Sequence, residues 1–253
     1  MIITPPPYDP RADQSSERFH AQTSIVTMGE PLPPITQQHT PMPIALPPLS
    51  SAPSPPLEEM ILARRSHRDF TTDKLFPLDL LARLLVLSCG IVSDRPDLPD
   101  GFGRAMPSAG ASYPIIPYVL SARVSGLTPG SYRYDVTNNH LDGRRAGDES
   151  AAFGHWALNQ DWLAAAAAIV VLVGMPSRIK PRYASRGYRY MLFEAGHIAQ
   201  NLCLLATAHG LAAQPGGGFV DAAVARLLGV SPEEVPLYFV AIGPRVGSEG
   251  AWG

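Results

Sequence analysis

The amino-acid pattern predicts a single α+β domain, a central mixed β-sheet flanked by helices. Three observations predict it. From Pro117 to Val136 apolar and polar residues alternate around the turn sequence Leu127-Thr128-Pro129-Gly130, and Asn138-Asn139 turns the chain again toward Leu141, which makes a β-meander. Ala168-Ile169-Val170-Val171-Leu172-Val173-Gly174 is a continuous apolar run of the kind that forms a strand buried on both faces. Tyr188 to His209, stopped by Gly210, reads as the strongest helix of the chain. It is apolar nearly all round, as a central buried helix would be, and Tyr190, Phe193, His197, Cys203, Leu204 and Leu205 are expected in its packing.

Taken in order, the chain opens with an extension over residues 1–56 that holds about half of the 27 prolines and few charges. Pro5-Pro6-Pro7, Pro33-Pro34, Pro47-Pro48 and Pro55-Pro56 favour extended, polyproline-like chain over long helix. The first dozen residues are expected to be loose. The rest carries Phe19, Ile25, Val26, Met28, Ile35, Met42, Ile44, Leu46 and Leu49, too many apolar groups for a solvated linker, and is expected to lie extended on the domain formed by 57–253. Leu57 to Arg65 reads as a short helix. A second starts near Phe76-Pro77-Leu78-Asp79 and ends at Gly90, with Leu78, Leu81, Leu84, Leu85 and Leu87 as its apolar face. Residues 93–112 read as a long loop of small residues and turn formers, and such loops are commonly functional. Trp156 to Ala168 has a helical pattern. Leu211 to Phe219 is a short strand running into a glycine turn, Asp221 to Leu228 a helix, and Ser231-Pro232-Glu233-Glu234 a capping pattern. Pro236 to Gly243 forms the last strand, followed directly by Pro244-Arg245.

Composition narrows the function. A net charge of −2 with 17% charged residues argues against a general nucleic-acid binder and against a polybasic membrane patch. Cys89 and Cys203 have neither metal-type nor redox-pair spacing, which suits buried free thiols in a reducing cytoplasm. The N-terminus lacks the basic start and apolar stretch of a signal peptide, and the run Leu163 to Met175 is too short to span a bilayer. These features predict a cytoplasmic protein.

The stretch with the most chemistry is Arg64-Arg65-Ser66-His67-Arg68-Asp69-Phe70. Arginine's planar fork matches phosphate oxygens, and Ser66 adds a compact hydroxyl donor. In extended chain, residues 64, 66 and 68 point one way. A solvated basic helix end is the alternative for these residues alone. Further along come the small-residue loop Pro107-Ser108-Ala109-Gly110-Ala111-Ser112-Tyr113-Pro114 and the late glycine turn. With these, the sequence resembles the FMN-dependent nitroreductase superfamily, and within it the SagB-type dehydrogenases that act as azoline oxidases in thiazole/oxazole-modified peptide pathways. The resemblance spans roughly residues 18 to 246. It is also carried by Phe19-His20-Ala21-Gln22-Thr23, Gly126-Leu127-Thr128-Pro129-Gly130-Ser131-Tyr132, Arg186-Gly187-Tyr188-Arg189-Tyr190 with Glu194-Ala195-Gly196-His197, and Ala241-Ile242-Gly243-Pro244-Arg245.

This resemblance implies a nitroreductase-like homodimer with FMN at its interface. Arg64, Ser66 and Arg68 would hold the FMN, with further contacts from Arg65, and Arg245 would reach the phosphate from the other end of the chain. Pro107, Ser108, Ala109 and Gly110 would contact the flavin bound mainly by the partner. Gly217 and Gly218 would pass close to the isoalloxazine, where a side chain would obstruct the backbone's approach. The family's catalytic Lys-Tyr pair is replaced by Arg182-Tyr183. Arginine does not lose its proton, so Tyr183 is the expected acid/base and Arg182 a holder of charge or substrate.

Other signals carry less. Glu194-Ala195-Gly196-His197 has Glu-x-x-His spacing, but the further glutamate helices of a di-iron bundle are absent, so no metal is expected and His197 reads as a core histidine. No nucleophile elbow, P-loop or dinucleotide fingerprint occurs. The expected activity is FMN-dependent removal of two hydrogens from a heterocycle or amino-acid-derived group in natural-product biosynthesis, with pathway enzymes as conceivable partners. An NAD(P)H-dependent nitro or quinone reductase on the same flavin is the alternative enzyme, and a flavin-free scaffold the alternative from another class.

Overall fold

The computed structural model describes residues 14–24, 42–49, 54–98 and 101–247. Its elements are α1 (Ser15–Thr23), β1 (Ile44–Ala45), α2 (Leu57–Ala63), β2 (Phe76–Pro77), α3 (Leu78–Cys89), β3 (Ile91–Asp94), β4 (Phe102–Arg104), β5 (Ile115–Ser121), β6 (Val124–Ser125), β7 (Gly130–Asp135) and β8 (His140–Ala146). After these come α4 (Ser150–Trp156), β9 (Ala168–Gly174), α5 (Pro176–Tyr183), α6 (Arg186–Ala208), β10 (Leu211–Gly216), α7 (Asp221–Leu228) and β11 (Val235–Pro244).

Seven strands form one sheet in the order β1-β8-β7-β5-β9-β11-β10. Every ladder in it is antiparallel, so the expected mixed sheet is corrected; the one parallel pair, β2 with β6, lies outside it. The reason is topological. The helical crossover from β9 through α6 does return β10 in the same direction as β9, but β11 inserts between the two and runs against both. β9 is buried along its whole length. Its alternate residues serve two cores: Val170 and Leu172 pack with α3 and α6, while Ile169, Val171 and Val173 pack with α4 and α7.

Several local expectations change. Ser15–Thr23 is helical rather than extended, because this stretch of the extension contains no proline. Ile44–Ala45 and Leu46 do lie extended on the domain, paired with β8 and with Leu46 buried. The expectations for residues 1–13 and 25–41 fall outside the described residues. The helical reading of Trp156 to Ala168 fails beyond Trp156, since Leu158 and Asn159 take positive φ and only a short 3-10 turn, Asp161–Ala165, follows. Ser231 to Glu234 is a turn, not a helix start. Glu234 accepts the Ser231 amide and the Tyr118 hydroxyl (2.9 Å each), which satisfies its buried carboxylate. α6 is buried on one face only: Leu192, Phe193, Gly196, His197 and Gln200 are exposed, so His197 is not a core histidine. Both cysteines are buried and unpaired, and burial pushes their thiols up, Cys89 to about 12 and Cys203 to about 11. Among the described residues no helix is long and apolar enough to cross a membrane.

Candidate functional site

The basic stretch leaves α2 as extended chain, Arg64 standing at φ −54°, ψ 124°. It is then laid across the ends of two strands by main-chain bonds. His67 N–H donates to Ala213 O (3.0 Å), Thr71 N–H to Pro244 O (2.9 Å) and Val246 N–H to Asp69 O (3.0 Å), while Phe70 bridges Arg245. Arg245 is thereby set beside the basic stretch from the far end of the chain. Phe70, buried, anchors the segment by stacking on Trp162 at 6.1 Å, and the Arg68 guanidinium lies 5.7 Å from the same indole. Arg64 is half-buried; Ser66, Arg68 and Arg245 are exposed. Arg65 turns back instead, donating to Leu62 O and Arg64 O at 2.8 Å each, a cap on the last carbonyls of α2. The carboxylate among these cations is Asp69, 3.9 Å from Arg245 Nε.

β10 is an edge strand and runs away from this cluster toward the glycine turn, roughly 20 Å at about 3.3 Å per residue. On it the Gln214 side-chain carbonyl is buried with no hydrogen-bond partner among the described residues. Of the three glycines that follow, Gly216 is fixed by packing, since a Cβ there would run into the Phe239 ring. Gly217 and Gly218 face softer neighbours, Tyr238 at 3.3 Å and Leu158 at 3.1 Å from an added Cβ.

A second group forms around the small-residue loop. Gly110, Ala111 and Tyr113 all take positive φ (58°, 51° and 44°), without cost at the glycine but with strain at Ala111 and Tyr113 that surrounding contacts must hold. Ser108 Oγ accepts the Tyr113 amide (2.9 Å), Arg178 donates to Tyr113 O (3.1 Å) and the Arg104 guanidinium covers the Tyr113 ring at 4.3 Å. Arg182 and Tyr183, at the end of α5, close on the same loop. Arg182 Nη1 donates to Gly110 O (3.1 Å), and a Cβ on Gly110 would fall 2.5 Å from that nitrogen and 2.6 Å from the Tyr183 hydroxyl. Pro107, exposed, and Ser108 lie in the wall of a cleft of about 600 Å³ that also takes in Arg104, Gly110 and Arg182, while Ala109 is half-buried and packs against the core.

Beneath this loop lies Glu194, which the sequence marks as part of a family motif and of a Glu-x-x-His spacing but not as an expected site residue. It is 2% exposed, its Oε1 accepts the Ile115 amide (3.3 Å) and its Oε2 has no partner. Burial pushes this carboxyl up to about 7, against the pull of the Ser108 hydroxyl, the Ile115 amide, Arg104 and Arg178. Its partner in the motif, His197, lies one turn on and is exposed. Two further groups escaped the sequence reading: Trp162, and the docking of α1 through His20, whose ring nitrogen lies 2.9 Å from the Tyr188 hydroxyl.

The fold with these two groups is that of the nitroreductase-like α+β proteins. The family model for the nitroreductase family matches residues 61–244, and the chain belongs to that family of oxidoreductases. It is 32% identical over 194 residues to a protein described as a nitroreductase in Methanocaldococcus jannaschii, covering 75% of this chain and 91% of that one. A solved protein of Anabaena variabilis, also described as a nitroreductase, superposes with a TM-score of 0.64 at 26% identity over 75% of this chain; the match spans only 38% of that longer chain. The E. coli microcin synthetase McbBCD complex with truncated pro-MccB17 bound superposes with a TM-score of 0.61 at 21% identity, covering 89% of this chain and 85% of that one.

Proposed function

We propose that the protein is an FMN-dependent dehydrogenase of SagB type, removing two hydrogens from a heterocycle or amino-acid-derived group in natural-product biosynthesis. The observation that carries the cofactor is the main-chain splice that sets Arg245 beside Phe70, in the segment that carries Arg64, Ser66 and Arg68. Those three guanidiniums and the hydroxyl would supply the donor set a phosphomonoester requires. The orphaned Gln214 carbonyl further along β10 suits the ring N–H of a flavin, and Gly217 and Gly218 lie beyond it. Bound FMN would accept the substrate's hydride.

The chain's own residues would supply the rest. Tyr183 is the acid/base, its hydroxyl held at Gly110; Arg182, protonated and tied to Gly110 O, holds position and charge but takes no proton. In this reading the protein works as a homodimer. Pro107, Ser108, Ala109 and Gly110 meet the partner's flavin, and the exposed apolar side chains of α2 (Leu57, Ile61, Leu62) and Phe193 of α6 meet the second copy. The natural-product assignment draws on the likeness to the microcin synthetase complex and on the family motifs in the sequence.

The test is a visible absorption spectrum of the purified protein and of Arg68→Ala and Arg245→Ala. Two flavin bands in the wild type, lost or weakened in both variants, support the assignment. A colourless protein that added FMN cannot reconstitute would overturn it. Arg182 in the usual lysine position favours one second reading, an NAD(P)H-dependent nitro or quinone reductase. Steady NAD(P)H oxidation with an artificial acceptor would establish that instead.

A further inference from the structure

A groove of about 710 Å³ opens between α1 and the first turns of α6, well within the range of small-molecule sites. Its apolar surface comes from Phe19, Tyr188 and Leu192, and Tyr183 lines the same groove. Two arginines, Arg186 and Arg189, line it one helical turn apart, with Ser15, Ser16 and Ser185; among the described residues no carboxylate is in the lining. Both arginines stand in the first turns of a 23-residue helix that has no acidic residue in its first turn. Cations at that end oppose the helix dipole, a placement that a negatively charged ligand would relieve. Arg186 is partly engaged, its Nε donating to the Tyr190 hydroxyl (3.1 Å). Arg189 has no ion-pair or hydrogen-bond partner among the described residues.

The wall that α1 provides is built in, not draped. Glu17 pairs with Lys180, the Phe19 ring meets Tyr188 edge-on at 5.8 Å, His20 lies 2.9 Å from the Tyr188 hydroxyl and 4.0 Å from Asp221, and Ser16 is buried. The acidic member, Glu17, is engaged by Lys180 and by the Ser16 hydroxyl (2.9 Å) and is not in the lining, so the charged side chains that line the groove are Arg186 and Arg189.

We propose that this groove binds the substrate through a carboxylate held by Arg186 and Arg189 and an apolar or aromatic group laid against Phe19, Tyr188 and Leu192. The ligand class is therefore an amino-acid-derived molecule that keeps a free carboxylate beside an apolar group. The proposal rests on the dehydrogenase reading above, because it places that enzyme's substrate beside Tyr183. It commits α1, from the proline-rich extension, to the binding site.

The probes are dansyl-glutamate and uncharged dansylamide, titrated by fluorescence against the full chain. Dansyl-glutamate should bind roughly tenfold more tightly than dansylamide, the scale of one charge-assisted bond, and the difference should shrink as salt is raised. Arg189→Ala should remove most of the preference while leaving dansylamide affinity unchanged, and Arg189→Lys should retain part of it. Phe19→Ala should weaken both probes alike. Equal affinity for the two probes, no binding of either, or an undiminished preference in Arg189→Ala would overturn the proposal. Flavin absorption is read on the same samples, so the two assignments separate. Charge selectivity in a protein that cannot take up FMN would overturn the dehydrogenase but not the anion groove; a flavoprotein without selectivity would do the reverse.

Discussion

Glu194 shows how one buried side chain sets a measurable property. Its carboxyl titrates near 7 rather than near 4.5 because burial penalises the charged form. The folded protein therefore holds this proton more tightly than the unfolded chain. The contribution favours folding below pH 4.5 and is lost as pH rises toward 7, on the order of 3 kcal/mol in all. Glu194→Gln should flatten that slope, so that its denaturation midpoint exceeds the wild type's at pH 8 by more than at pH 5. An unchanged slope in urea melts at the two pH values would show that the carboxyl is not buried as described. Gly110 makes a second case. At φ 58° an alanine would be strained, and its Cβ would press on Arg182 and Tyr183. Gly110→Ala should cost about 1–2 kcal/mol and displace both side chains from the loop, read as a lower melting temperature and altered Tyr183 reactivity.

Among the elements, α2 and α6 carry the clearest consequence. α2 buries none of its residues, and Phe193 on α6 is 55% exposed. Helices this apolar on an open face need a cover, which in the proposed homodimer is the second copy. Phe193→Glu should shift the protein to monomer in light scattering. It should also weaken flavin retention, because the 107–110 loop then has no partner to reach. A variant that stays dimeric would remove α6 from the interface. α5 and the small-residue loop act as one unit, for the Arg182 bond to Gly110 O joins them.

Across the whole molecule, segments far apart in sequence are joined where the basic stretch crosses β10 and β11. That junction depends on main-chain donors, so a proline can test it. His67→Pro removes the amide that bonds Ala213 O without touching either core. FMN affinity should fall at least about tenfold while the far-ultraviolet circular dichroism stays unchanged. Loss of fold would mean that the segment belongs to the framework. Leu84→Ala, fully buried between α3 and the sheet, should instead cost about 3 kcal/mol in a denaturant melt and leave the site's chemistry alone.

Strand and helix periods were local properties, and the sequence determined them. β9 matches its apolar run end for end, α7 occupies the stretch read as helix, and α6 lies within two residues of its expected bounds. The nitroreductase-like fold was legible too, because six separated motifs occur in the right order. What local pattern could not decide was direction, pairing and depth. Strand order made the sheet antiparallel, since β11 comes between β9 and β10. The exposed face of α6 could not be read from a helix that exposes Leu192, Phe193 and Gly196 and buries its glutamate, Glu194. A lack of proline made α1 helical, but only its contacts with Lys180 and Tyr188 made it a wall of a groove. Glu194's high pKa, the Arg182–Gly110 clasp and the pairing of Arg245 with Phe70 and Asp69 join residues far apart in the chain. Burial and proximity are properties of the packed molecule, so only the tertiary structure decided them.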